Sequence, residues 1–196
     1  MIIKEFQLSV SINKEALPNF VLFYGPNEGL IRDNILKISE TFKQEKVVDE
    51  ITINGKVIDE NKHIIDEETR SFSMFSEQKL IYIENIKEKH LEFFENIEFE
   101  DNKVLVIIKS ENLNKNSKIR NFFEKHKKYA AIPCYDDDVR SIMKLISQFQ
   151  LDNEIKFDSD IKNYLIQNLS TDRLISKNEL EKILLIIDHK QNKEIK

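Results

Sequence analysis

Phe20-Val21-Leu22-Phe23-Tyr24-Gly25-Pro26-Asn27-Glu28-Gly29-Leu30-Ile31 is the stretch on which the reading of this chain turns. Its first five residues are a continuous apolar run of strand length, the pattern of a strand buried on both faces, and the run stops at a Gly-Pro-Asn turn. Beyond the turn, Ile31, Ile35, Ile38 and Phe42 recur at helical spacing, with Arg32, Asp33, Lys37 and Glu40 on the other side. An amphipathic helix therefore follows the strand directly.

The same alternation continues along the chain. Ile51-Thr52-Ile53, Leu80-Ile81-Tyr82-Ile83, Val104 to Ile108 and Tyr129 to Pro133 read as further strands, with helical patterns over 64–70, 91–96 and 119–126 between them. Alternating strands and helices predict an α/β domain, a five-stranded parallel sheet flanked by helices with right-handed crossovers, over residues 1–136. The character changes at Tyr135-Asp136-Asp137-Asp138, where acidic residues stand before an apolar-periodic run and signal a helix start. Three helices follow. Val139, Ile142, Met143, Ile146 and Phe149 mark one, and Ile161, Tyr164, Leu165 and Leu169 mark a second after a cap at Asp158. The third spans 172–188, with Leu174, Leu180, Leu184 and Ile187 on its face, before a polar end at 191–196. Residues 137–196 thus form a small helical bundle as a second domain.

Composition narrows the function classes. With 40% hydrophobic and 33% charged residues but three Gly and three Pro in 196, the chain has no room for long linkers. One cysteine, Cys134, excludes an intramolecular disulfide, and four His at scattered positions offer no metal-ligand spacing, so no metal site is expected. The start Met1-Ile2-Ile3-Lys4-Glu5-Phe6 lacks an apolar export segment, and no stretch approaches the ~20 apolar residues of a membrane span. The expectation is a cytoplasmic protein that neither crosses nor enters a membrane. A net charge of -5 also disfavours a dedicated nucleic-acid binder, which needs a basic excess to displace counterions.

The strand-turn-helix at 20–31 stands where mononucleotide-binding domains carry their phosphate loop, but its chemistry is wrong for that task. A working loop encloses four residues between its glycines, then supplies Lys to the terminal phosphates and Ser or Thr to magnesium. Here Gly25 and Gly29 enclose three residues, Leu30 and Ile31 follow, and Glu28 adds a negative charge. A turn that caps the helix outweighs residual nucleotide binding, and no cofactor is expected. Glu84, at the end of a strand, is the one candidate magnesium ligand, and a solvated carboxylate explains it as well. No Ser-His-Asp, Cys-His or paired-carboxylate spacing is present, so no catalytic residue is assigned and the chain reads as a non-enzymatic binding protein.

Ser71-Phe72-Ser73-Met74-Phe75-Ser76 is the most unusual local feature. Met74 and Phe75 are adjacent, so no regular helix or strand sends both into one core, and Met and aromatic side chains are the usual anchors in a partner's pocket. Packing of both beneath a turn is the competing explanation. Lys115, Lys118, Arg120, Lys125, Lys127 and Lys128 form a basic stretch that a solvated helix face accounts for.

Taken together, four segments resemble the delta subunit family of the bacterial DNA polymerase III clamp loader, members of the AAA+ superfamily that do not hydrolyse ATP. They are Phe20 to Gly25 with Leu30-Ile31, Ser71 to Ile81, Val104 to Ile108, and Asn168 to Leu174 continuing into Asn178-Glu179-Leu180-Glu181-Lys182-Ile183. The resemblance implies that Met74 and Phe75 stand at the Leu and Phe of a motif that inserts into a pocket on the ring-shaped sliding clamp, the beta subunit, with Phe72 and Ser73 in support. Met for Leu is a mild departure in volume and polarity. It further implies that the chain favours an open ring while sister subunits hydrolyse ATP, that 137–196 is the lid domain, and that DNA contact is weak or indirect. The family's C-terminal collar, through which it joins the other loader subunits, has no counterpart here, so the chain reads as truncated. The alternatives are an atypical P-loop ATPase and a DNA-binding adaptor that uses residues 115–128.

Overall fold

The computed structural model describes residues 1–4, 7–8, 17–44, 46–95, 97, 103–189 and 194–195. The start of the chain at Glu5-Phe6, the expected helix end at Asn96 and most of the polar end at 191–196 lie outside the described residues, as does the side chain of Ile187. Two compact units emerge. The first comprises Met1–Pro26 and Ile31–Cys134, the second Asn27–Leu30 and Tyr135–Lys196.

The first unit is a five-stranded sheet in the order β2-β3-β4-β1-β5. Its strands are β1 (Phe20–Tyr24), β2 (Val48–Asn54), β3 (Gln78–Glu84), β4 (Val104–Lys109) and β5 (Tyr129–Pro133). Every neighbouring pair is parallel. All five residues of β1 are buried, as its unbroken apolar run requires for a strand lying between β4 and β5. Because side chains alternate across a strand, Phe20, Leu22 and Tyr24 share one face with Ile81, Ile83, Val104, Val106 and Ile108. Ile58, Ile65, Phe94, Ile119 and Phe123 complete that core, with the Phe94 and Phe123 rings packed edge to face at 5.4 Å. The opposite face meets helix α1 (Glu28–Lys43): Tyr82, between Ile81 and Ile83, donates its hydroxyl to Ser39 Oγ at 3.1 Å. These features make the first unit an α/β domain with helices against a parallel sheet, the architecture expected from the alternating pattern.

Helices α2 (Gly55–Glu60) and α3 (Ile64–Arg70) join β2 to β3, and a 3-10 turn at Glu88–His90 leads into α4 (Leu91–Glu95). The sequence reading contains α3 but not α2, which starts immediately after β2. Asn54 ends the strand and caps the helix at once, its Oδ1 accepting the Lys56 N–H at 3.1 Å, so no turn residues separate the two elements. Strand β2 also begins earlier than its apolar core suggests, since Val48-Asp49-Glu50 lies on an edge strand where polar residues remain solvated. Helix α5 (Lys118–Lys125) precedes β5 and is capped by Ser117, whose Oγ accepts the Arg120 N–H at 3.2 Å.

In the second unit, α6 (Val139–Asp152), α7 (Ser159–Asn168) and α8 (Arg173–His189) enclose Ile142, Ile146, Ile155, Phe157, Leu165 and Leu180. A short parallel pair, β6 (Lys156–Phe157) with β7 (Glu194–Ile195), is an addition the sequence did not suggest. Asp158 caps α7 by accepting the Ile161 N–H at 2.8 Å. The acidic run before α6 divides its labour: Asp138 caps the helix through the Ser141 N–H at 2.8 Å, while Asp137 turns inward.

The hydrogen bonds from Ser141, reinforced by Arg140, hold the Asp138 carboxyl below its ordinary value of 3.8. A lowered folded-state pKa contributes stability above the unfolded value and loses it as pH falls through the folded one. Below about pH 3.8 the cap therefore weakens. Asp138→Asn keeps an acceptor but has no proton to gain, so its thermal stability should fall less than that of the native chain between pH 5 and pH 2 in paired melting curves, roughly the range over which a perturbed Asp titrates. Parallel curves for the two proteins would rule this out.

Candidate functional site

The loop between α3 and β3 carries the exposed apolar pair. Helix α3 ends where the Ser71 N–H donates to the Glu67 carbonyl at 3.0 Å and Ser71 takes an extended conformation. Two residues later the chain turns: the Ser76 N–H donates to the Ser73 carbonyl at 3.3 Å, which makes Met74 and Phe75 the central pair of a tight turn. Ser73 Oγ accepts the Phe75 N–H at 3.4 Å and the Ser76 hydroxyl reaches the Ser73 carbonyl, so the serines supply the turn's local bonds. Such a turn closes its hydrogen bonds beneath the central residues and leaves their side chains pointing away. Met74 is 93% exposed and Phe75 85%, whereas Phe72 is 38% exposed. Ser73 is also exposed. At the far end of the loop, the Glu77 N–H donates to the Val47 carbonyl at 2.9 Å and ties the chain to the start of β2.

Parallel strands place this loop and the turn after β1 at opposite edges of the sheet. The Met74-Phe75 loop leads into the N-terminal end of β3, beside the N-terminal ends of β2 and β4, where the Lys79 N–H donates to the Lys103 carbonyl at 2.8 Å. Gly25, Glu84, Ser110 and Cys134 all stand at or just beyond C-terminal strand ends. A strand of this length separates the two edges by about 15–20 Å.

At the C-terminal edge, Gly25 adopts φ +140 and a Cβ there would lie 2.1 Å from the Cys134 carbonyl oxygen. The Cys134 N–H in turn donates to the Tyr24 carbonyl at 2.8 Å, so this glycine accommodates the close approach of the chain leaving β5. Within the second unit, Asn27 is fully buried and its Oδ1 accepts the N–H groups of both Leu30 at 3.0 Å and Arg173 at 3.1 Å. Its amide donates to the Thr171 carbonyl at 3.1 Å. One side chain thereby caps the first turns of α1 and α8, satisfying donors that a phosphate would otherwise meet. Gly29 brings the two backbones together, since a Cβ would fall 2.2 Å from the Leu174 nitrogen.

Sequence reasoning missed Arg173. Its guanidinium forms a two-point pair with the buried Asp137 carboxylate, at 2.9 Å and 2.5 Å, and so is already matched by an anion. Leu30 and Ile31, at the positions of the phosphate-loop Lys and Ser or Thr, are buried apolar side chains.

The remaining candidates are dispersed. Glu84 is exposed at the end of β3, and Cys134 is buried at the end of β5. Among the described residues no cluster of three His, Cys, Asp or Glu side chains could hold a metal, and no helix is long and apolar enough to cross a membrane. In the basic stretch, Arg120 binds Glu124 at 2.8 Å, donates to the Leu113 carbonyl at 3.1 Å and lies over the Tyr24 ring at 4.9 Å. Lys115, Lys118, Lys125, Lys127 and Lys128 are exposed.

No protein-family model matches the chain, and no curated protein matches it by sequence. Solved structures do. The chain is similar to a Bacillus subtilis DNA clamp loader delta protein at 12% identity and a TM-score of 0.59, over 97% of this chain and 59% of that one. It is likewise similar to the Thermotoga maritima RuvB Holliday junction branch migration motor, at 12% identity and a TM-score of 0.55, over 97% of this chain and 62% of that one. A replication initiator DnaA bound to AMPPCP and single-stranded DNA gives 15% identity and a TM-score of 0.55, over 97% and 66%. The chain thus spans less than two thirds of each of these proteins. At such identities the likeness defines the fold, and the chain has the AAA+-like fold shared by a clamp loader delta protein, RuvB and DnaA.

Proposed function

We propose that this chain is the clamp-opening delta-type subunit of a DNA polymerase III clamp loader, a cytoplasmic replication protein that binds the sliding clamp without hydrolysing ATP. The observation that carries the reading is the adjacent pair Met74 and Phe75, 93% and 85% exposed on a turn whose flanks are hydrogen-bonded to α3 and to the start of β2. Two large apolar side chains held side by side in water match an apolar pocket on a partner, and the fold likeness to a clamp loader delta protein suggests the clamp as that partner. In this reading residues 1–136 carry the clamp-binding element and residues 137–196 are the lid. The sister subunits would be joined through a further segment such as the family's collar, and DNA would be met only indirectly.

The mechanism is mechanical. Binding opens a ring only by the difference in affinity for its open and closed forms, so the pair must seat better on the distorted interface. The degenerate phosphate loop at Gly25 and Gly29 supports a subunit without ATPase chemistry, with Asn27 satisfying helix donors and Arg173 matched by Asp137.

Calorimetry of the whole chain tests both halves of the proposal. Titration with the sliding clamp of the same organism should release heat with one chain per clamp interface, whereas ATP with magnesium should give none. Saturable ATP binding at micromolar concentration would favour the ATPase reading, and absence of clamp binding would remove the delta-type assignment.

A further inference from the structure

Lys79 is 2% exposed, one residue beyond the start of β3, in a part of the chain where a lysine has no water to hold. An ammonium in such a place must have its three donors met. Its Nζ bonds Glu68 of α3, the Ser71 carbonyl at 3.0 Å and Ser71 Oγ at 3.2 Å, with Asp49 of β2 at 3.9 Å. Two of those contacts fall on the first residue of the Met74-Phe75 loop. Lys79 itself follows the last residues of the loop, so its side chain closes residues 71–79 into a ring. The other end is held independently, by the Glu77 N–H on the Val47 carbonyl.

We infer that Lys79 is a positioning residue for the docking pair: it clamps the base of the loop so that Met74 and Phe75 are presented in one orientation before a partner arrives. What the pair docks to rests on the functional reading above; the clamping itself does not. Fixing a short loop in advance removes ordering entropy that binding would otherwise have to supply, and apparent Kd rises in inverse proportion to the fraction of loops in the competent arrangement. The burial has a further rationale. A surface lysine would exchange these bonds for water, whereas one 2% exposed has only Glu68, Ser71 and Asp49 to bond and stays in place.

Lys79→Met in the full chain removes the ammonium while keeping the length of the side chain, and Glu68 and Asp49, with side chains 29% and 31% exposed, can turn to water. Amide hydrogen exchange at Ser76, whose N–H closes the turn, should then accelerate by about tenfold or more, while amides of the central strands such as Val106 keep their native rate. Kd for the clamp should rise by a similar factor, since loop population links the two. Glu68→Ala, at a half-buried helix position, releases one partner and should shift both readouts in the same direction by less. It decides the question if Lys79→Met does not fold. Unchanged exchange at Ser76, or an equal acceleration throughout the sheet, would overturn the positioning role. A native chain that binds no clamp would instead remove the functional reading and leave the exchange data to decide the role of Lys79.

Discussion

Met74→Ala combined with Phe75→Ala should weaken clamp binding by at least about 100-fold in surface plasmon resonance, with no loss of thermal stability. The size follows from surface burial. Seating a Met or Phe side chain in an apolar pocket is worth about 1.5–3 kcal/mol, so the pair together supplies some 3 kcal/mol or more, and each ~1.4 kcal/mol is tenfold in affinity. The absence of a stability cost follows from exposures of 93% and 85%: truncation opens no cavity, and the bonds of the turn come from the serines and the backbone. Retention of native affinity by a folded double variant would show that the clamp is not met through this pair. A variant that melted early would mean that the side chains pack in solution.

The second large effect is on stability. Gly25→Ala should destabilise the first unit by about 3–5 kcal/mol, which lowers the melting temperature by roughly 10 °C or more. Two costs combine at this position. A backbone at φ +140 is strained for any residue with a Cβ, and that Cβ would lie 2.1 Å from the Cys134 carbonyl oxygen, inside any allowed contact. Relief requires the chain leaving β5 to move away from β1, which breaks the Cys134 N–H bond to the Tyr24 carbonyl. Calorimetric melting of the variant beside the native chain measures the effect. A difference below about 1 kcal/mol would mean that the turn relaxes without disturbing β5, since an ordinary surface exchange costs no more than that.

Gly25 also shows how a sequence signal can be sound while its explanation changes. A glycine after a buried strand points to a phosphate loop, because backbone must approach phosphate closely there. In this chain Gly25 admits the close approach of another stretch of backbone, and Asn27 bonds the helix N–H groups. The sequence contained the missing Lys, the misplaced spacing and Asn27 itself, but not the contacts of Gly25 with Cys134 and of Asn27 with Arg173, each more than a hundred positions away.

The parallel sheet was legible because its signals are local. Phe20 to Tyr24 and Val104 to Ile108 are continuous apolar runs, and only strands buried on both faces tolerate them. The helix after β1 was legible from its 3.6-residue period, and Asp158 from its place just before an apolar stripe. Adjacency alone made Met74 and Phe75 suspect, since neighbouring residues cannot both face one core in a regular element. Their exposure was undecided, because it depends on whether a turn forms and on what lies beneath it. The structure decided that through the Ser73–Ser76 turn, and it gave Lys79 its place against Ser71 and Glu68. It likewise separated Asp137, bound to Arg173, from Asp138, which caps a helix, although the two are identical and adjacent in sequence. Periodicity and chain punctuation therefore determined the five strands of the main sheet, the helices other than α2 and the loss of the phosphate-binding residues, since each depends on near neighbours along the chain. Partners of buried charge and the exposure of a loop tip belong to tertiary structure alone, because they arise only when distant segments are brought within hydrogen-bonding distance.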